Sequence, residues 1–195
     1  MKIHKIAQEY KEKGFYILLC GSKTHPENVG TISFCGKNSE IIEECEIGEA
    51  YNNFKNSKIK KLLLISQTTY SLEKFYKIEK YLKEKLLQDE NRNVEFVVNN
   101  TICRATELRQ KETEKLSKTV DCMIIIGGKN SSNTRKLYDI AKNNCEKTIC
   151  IETVHDIDIQ EILKYEKVGI MAGASTPDSS IKEVINELEK YSLLV

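Results

Sequence analysis

The chain has 195 residues, 40% hydrophobic and 30% charged, with 30 basic against 29 acidic side chains and a formal net charge of +1. That length can bury the core of one large domain or two small ones, and the near-neutral balance advertises no broad basic face of the kind nucleic-acid binding calls for, so nucleic acid is not an expected partner. The longest apolar runs, Ile17 to Cys20 and Met123 to Ile126, are too short to cross a bilayer, and the seven cysteines include no CxxC pair that would signal a zinc ribbon or a thioredoxin motif.

In chain order, MKIHKIAQEYKEKG lacks the apolar centre of a signal peptide and reads as an amphipathic helix, so a cytoplasmic chain with reduced thiols is expected. Phe15–Cys20 is a run of aromatic and branched residues, a predicted strand that passes into the polar segment GSKTHPENVG. A weaker strand is predicted at Ile41–Cys45, then a strong one at Lys61–Ile65 that ends in SQTTYS, with a helix over Leu72–Leu87. After the polar loop Gln88–Asn93 comes a weak strand at Val94–Val98. Met123–Ile126 is a strand leading into GGKNSSN and a helix over Thr134–Asn143. Thr148–Ile151 and Val168–Met171 are the last strands, the second running through AGASTPDSS into a helix over Ser180–Tyr191. Strands alternating with helices predict parallel sheets with helical cover, and the polar segments fall on the strand-to-helix side, where open α/β sheets bind ligands.

An internal repeat organises these elements. Lys23 and Lys129 occupy the same place in two strand–loop units 106 residues apart, and Ser66-Gln67-Thr68-Thr69 stands 106 residues before Ala172-Gly173-Ala174-Ser175. The same offset sets Ile41–Glu46 against Lys147–Glu152. The expected architecture is α/β: two tandem, pseudo-repeated, small parallel-sheet domains over residues 1–99 and 100–195, with no low-complexity linker between them.

The loops carry the chemistry. Gly127-Gly128-Lys129-Asn130-Ser131-Ser132-Asn133-Thr134 combines glycines that admit an anion to the backbone, hydroxyls and an amide that donate hydrogen bonds, and a following helix N-terminus. The matching loop, Gly21 to Gly30, has His25 where the second copy has Ser131, and adds Glu27 as a possible proton donor. Thr68, Thr69 and Ser175 lie on the same sheet edges, and the four loops are expected to converge on one phosphate-bearing ligand. Each loop taken singly also reads as an ordinary helix cap or turn, and none is a Walker sequence. Cys103, just before a helix, stands where a thiolate serves in metal ligation or nucleophilic attack. Cys20, Cys122 and Cys150 read as small hydrophobes on apolar strands.

Taken together and in this order, HPENVG, SQTT, NTICRATELRQ, GGKNSSNT and AGASTPD resemble the 4-hydroxy-3-methylbut-2-enyl diphosphate reductase (LytB) family over nearly the whole chain. The resemblance implies a three-domain, trefoil-like architecture around a 4Fe-4S cluster, and a reductive dehydroxylation giving isopentenyl and dimethylallyl diphosphate. It implies a ferredoxin- or flavodoxin-type electron donor. Cys103 resembles one cluster-ligating cysteine. His25, Thr69, Ser131, Ser132, Asn133 and Ser175 resemble substrate-binding residues, Glu27 the acid that delivers a proton, and Thr68 the threonine that helps position the substrate hydroxyl.

The likeness covers the family's second and third domains and leaves out the first, with its other two cysteines. The repeat points the same way: Cys103 precedes Ser131 by 28 residues, and the same spacing before His25 falls ahead of residue 1. The chain is therefore expected to be a fragment that is inactive alone and does not hold the cluster stably, and a separately encoded first domain is one expected partner. The alternative is a non-catalytic diphosphate- or anion-binding module, or a scaffold partner.

Overall fold

The computed structural model describes residues 2–89 and 93–192, so part of the predicted Gln88–Asn93 loop lies outside the described residues. The chain divides into two compact units, Met1–Cys103 and Arg104–Val195.

In the first unit the order is α1 (Lys2–Glu12), β1 (Tyr16–Cys20), α2 (Pro26–Cys35), β2 (Ser39–Ile42), α3 (Ile47–Asn56), β3 (Lys61–Ser66), α4 (Leu72–Gln88) and β4 (Glu95–Val98). All pairings are parallel, in the order β2-β1-β3-β4. Side chains alternate across the strands, so both faces need cover. Leu18, Leu62 and Leu64 pack with Phe54, Phe75 and Leu82 on one face, and Ile17, Leu19, Leu63 and Ile65 pack with Ile3 and Ala7 on the other. That is why the strands read as unbroken apolar runs; each such side chain, fully buried, contributes roughly 1.5–3 kcal/mol.

The second unit runs α5 (Arg104–Ser117), β5 (Cys122–Ile126), α6 (Ser132–Asn144), β6 (Lys147–Ile151), α7 (Ile159–Ile162), β7 (Val168–Ala172) and α8 (Asp178–Ser192). Its described sheet has the order β6-β5-β7, again all parallel. Cys122, Ile124 and Ile126 face one core cluster, Met123 and Ile125 the other.

The 106-residue offset holds for β1 and β5, for the starts of α2 and α6, and for the ends of β3 and β7: Cys20 pairs with Ser66 as Ile126 pairs with Ala172. It fails for the strand between them. Cys20 pairs with Ile42 but Ile126 pairs with Ile151, an offset of 109, so Ile41–Glu46 is not the counterpart of Lys147–Glu152 in this register. The cause is a longer α6, 13 residues against 10 in α2, offset by α7, which has 4 residues where α3 has 10. The strand predicted at Ile41–Cys45 is also corrected to Ser39–Ile42. The Glu43 N–H donates to Glu46 Oε2 (2.9 Å), a capping box that turns the chain into a 3₁₀ helix over Glu44–Glu46.

In each sheet the chain first winds to one side of the leading strand and then to the other. The switch falls between β1 and β3 in the first unit and between β5 and β7 in the second. Ligand crevices form at the carboxyl ends of strands at such a point.

Candidate functional site

In the first unit the loops after β1 and β3 meet at the switch. His25 is the N-cap of α2, its Nδ1 accepting from the Glu27 N–H (3.3 Å), and Pro26 opens the helix where its missing N–H costs nothing. Glu27 then reaches the loop after β3. Its Oε1 accepts from the Thr68 N–H and its Oε2 from Thr68 Oγ1, both at 2.9 Å. Both carboxylate oxygens are thus engaged by one residue 41 positions away, with charge-assisted bonds stronger than neutral ones. The Thr68 carbonyl accepts from the Cys103 N–H (2.9 Å). Cys103 is exposed. Thr101 secures the same strand end, its Oγ1 accepting from the Ser66 N–H (2.8 Å) and donating to the Ser66 carbonyl. The structure therefore brings His25, Glu27, Thr68 and Cys103 together. It also ties in Thr69, whose hydroxyl accepts from Gln67 Nε2 (2.7 Å).

Two residues missed at the sequence level sit behind this group. Asn28 and Gln67 are 0% and 1% exposed. Asn28 Nδ2 donates to the Ser22 carbonyl (2.8 Å) and to Gln67 Oε1 (3.1 Å). The available signal was Gly21: a Cβ there would overlap the Asn28 amide, so a glycine at the end of a buried strand marks a close polar approach.

In the second unit Ser131 is the N-cap of α6, its Oγ accepting from the Thr134 N–H (3.3 Å). Ser132 and Asn133 form the helix's first turn. Asn133 is 4% exposed, and neither its Oδ1 nor its Nδ2 has a partner among the described residues. The reason lies in the repeat: Asn133 stands where the first unit has Glu27, and Ala174, with no hydroxyl to offer, stands where it has Thr68. Ser175 is exposed on the loop after β7. Its neighbour Thr176 donates to the Ile126 carbonyl (3.0 Å), which joins that loop to the end of β5. The loop carrying Gly128 is held by Glu152, whose Oε1 accepts from the Lys129 N–H (2.7 Å). The cap reading of the Ser131 loop holds, and the His25 segment, read as a turn, proves to be a cap as well; the first turn of α6 also presents a buried amide with unfilled donors.

A 4Fe-4S cluster is ordinarily held by several thiolates. Among the described residues no three His, Cys, Asp or Glu gather in a metal-holding group. Cys103 supplies one exposed thiol to this group, so these residues do not by themselves form a cage for the cluster. Burial pushes the Cys35 and Cys122 thiols up to about 11 and raises Cys20 and Cys150 as well, away from the thiolate form that binds metal. No helix among the described residues is long and apolar enough to cross a membrane.

The chain is similar to known proteins over nearly its whole length. The 4-hydroxy-3-methylbut-2-enyl diphosphate reductase of Clostridium tetani is 44% identical over 191 residues, covering 98% of this chain and 28% of that protein. Its namesake from Clostridioides difficile is 42% identical over 188 residues, covering 96% and 63%. The solved structure of the E-1-hydroxy-2-methyl-but-2-enyl-4-diphosphate reductase from Plasmodium falciparum matches 96% of this chain and 56% of its own, with a TM-score of 0.79 at 29% identity. This chain thus spans less than two thirds of each of these relatives. The model of the LytB protein family matches residues 1–189, and the chain belongs to that family.

Proposed function

We propose that this chain carries the proton-handling pair and the diphosphate-holding loops of a 4-hydroxy-3-methylbut-2-enyl diphosphate reductase, corresponding to the second and third domains of that enzyme. The observation that carries the reading is the linkage at the mouth of the first sheet: a carboxylate, a hydroxyl and a thiol-bearing residue joined through Thr68. Glu27 holds and releases a proton, Thr68 positions the substrate hydroxyl beside it, and Cys103 is one ligand of the family's iron–sulfur cluster. That cluster supplies electrons in the complete enzyme, and its remaining ligands come from outside these residues. His25, Thr69, Ser131, Ser132, Asn133 and Ser175 bind the diphosphate through hydrogen bonds, and the Asn133 amide already sits buried and unfilled among the described residues. A ferredoxin- or flavodoxin-type protein is the electron donor, and the setting is the cytoplasm.

The test is calorimetric titration of the purified chain with inorganic diphosphate. Ser131→Ala and Asn133→Ala should each weaken binding by about 1–3 kcal/mol per lost bond to a charged group. Binding unchanged in both variants would remove the diphosphate assignment. A second reading, a non-catalytic anion-binding module, is favoured by the lack of a metal-holding group among the described residues. Turnover separates the two. The chain alone should not reduce substrate after iron–sulfur reconstitution, whereas adding the part of a relative that this chain does not span should restore turnover on the reductase reading and not on the module reading.

A further inference from the structure

Glu27 and Asn28 are neighbours at the start of α2, and Gln67 and Thr68 are neighbours after β3. The two elements are therefore tied twice, by an outer contact from Glu27 to Thr68 and by an inner one from Asn28 to Gln67. The outer contact is half-buried, so water competes for it. The inner one is fully buried, and a hydrogen bond there is stronger and has no competitor. The inner amides also reach beyond their own pair. Asn28 holds the Ser22 carbonyl in the loop after β1, Gln67 Nε2 holds the Thr69 hydroxyl, and the Gln67 N–H donates to the Cys20 carbonyl (2.8 Å).

We propose that Gln67, with Asn28 behind it, is a positioning residue: a buried amide relay that sets the Glu27 carboxylate against Thr68. The inference rests on the reading of Glu27 and Thr68 as the proton-handling pair.

The second unit supplies the contrast. Thr134 stands in place of Asn28 and Gly173 in place of Gln67, so no amide relay exists there, and the Thr134 hydroxyl is buried without a partner among the described residues. That unit also lacks the carboxylate–hydroxyl pair, having Asn133 and Ala174 instead. The relay is present in the repeat that has the pair and absent from the one that does not. Gly21 admits it, because a Cβ there would strike Asn28 Nδ2 and come within 2.9 Å of Gln67 Oε1.

The test reads backbone amide exchange by NMR in the 195-residue chain. In Gln67→Leu the amides of Thr68, which donates to Glu27, and Cys103, which donates to Thr68, should exchange about tenfold faster or more, since a buried donor loses its acceptor. Amides of Leu18 and Leu63 should be unchanged. The double variant Asn28→Leu with Gln67→Leu removes both partners together, so thermal stability should recover while the Thr68 amide stays fast. Uniform acceleration across β1 and β3, or recovery of Thr68 protection along with stability, would reduce Gln67 to a packing residue and overturn the proposal. Failure of the underlying reading shows elsewhere: Glu27→Gln would keep full turnover in the complete reductase, with the exchange result untouched.

Discussion

The seven cysteines divide by environment. Cys45 and Cys103 are exposed, while Cys20, Cys35, Cys122 and Cys145 are buried and Cys150 is half-buried. Thiol reagents attack the thiolate, so burial both blocks access and disfavours the reactive form. Titration of the native chain with an aromatic disulfide should label Cys45 and Cys103 rapidly and the four buried thiols only on unfolding. Fast labelling of Cys20 would contradict the packing of β1. Glu161 gives a second residue-scale expectation. Hydrogen bonds from Lys164 (2.5 Å) and then Lys147 (2.9 Å) hold its carboxyl down to about 2, from an ordinary 4.5. A depressed carboxylate stabilises the fold above its unfolded value, and the contribution fades as pH falls through the folded one. The loss therefore belongs between about pH 4.5 and 2. Because the group is at the surface, Glu161→Gln should flatten the acid limb of the stability curve only slightly, and less at high salt. At this scale the sequence made Glu27 and Thr68 legible as polar residues in a recurring loop position. Asn28 and Gln67 stayed hidden because buried amides leave no periodic trace; only the close approach to Gly21 betrays them.

At the scale of elements, the caps decide where helices start. Ser71 Oγ accepts from the Lys74 N–H (3.4 Å) and opens α4, the longest helix among the described residues, whose Phe75, Ile78 and Leu82 are buried in the core. Ser71→Ala should cost roughly 1 kcal/mol in chemical denaturation; no measurable loss would mean that the core contacts alone set the start of the helix. The repeat was legible because two strands and their loops kept one spacing. The intervening strand was misplaced for a physical reason. Ile41 and Ile42 continue an apolar pattern into Glu43, but the reciprocal bonds between Glu43 and Glu46 end the strand there. Likewise, the three residues added in α6 are removed again before β7, so loops on either side keep their offset while β6 slides. Compensated length changes of this kind preserve the strand ends that carry chemistry, and they escape a search for a single offset.

For the whole molecule, each unit has its own parallel sheet, which the alternation of strand and helix patterns foretold, and its own pair of core clusters. The two sheets differ at one edge. In the first unit the outward side of β3 is occupied: the Leu64 carbonyl accepts from the Asn99 N–H (2.9 Å), and Ser66 is bound by Thr101. In the second, no described residue pairs with the outward side of β7. The Gly173 N–H points to Ile126, so by strand alternation Gly169 and Met171 face β5, while Ile170 and Ala172 face away. Amide exchange along β7 should therefore alternate, slow at Gly169 and Met171 and fast at Ile170 and Ala172; uniform protection would show that the edge is covered.

Among the described residues that edge stands uncovered, with a practical consequence. Natural sheets guard their margins with lysine, proline or a bulge, because a row of unpaired donors and acceptors templates any extended chain that meets it. The sequence of β7, Val-Gly-Ile-Met-Ala, has none of these guards. In concentrated solution the chain is therefore expected to associate through the five residues of β7, and light scattering that rises with concentration below the melting of either core would read it.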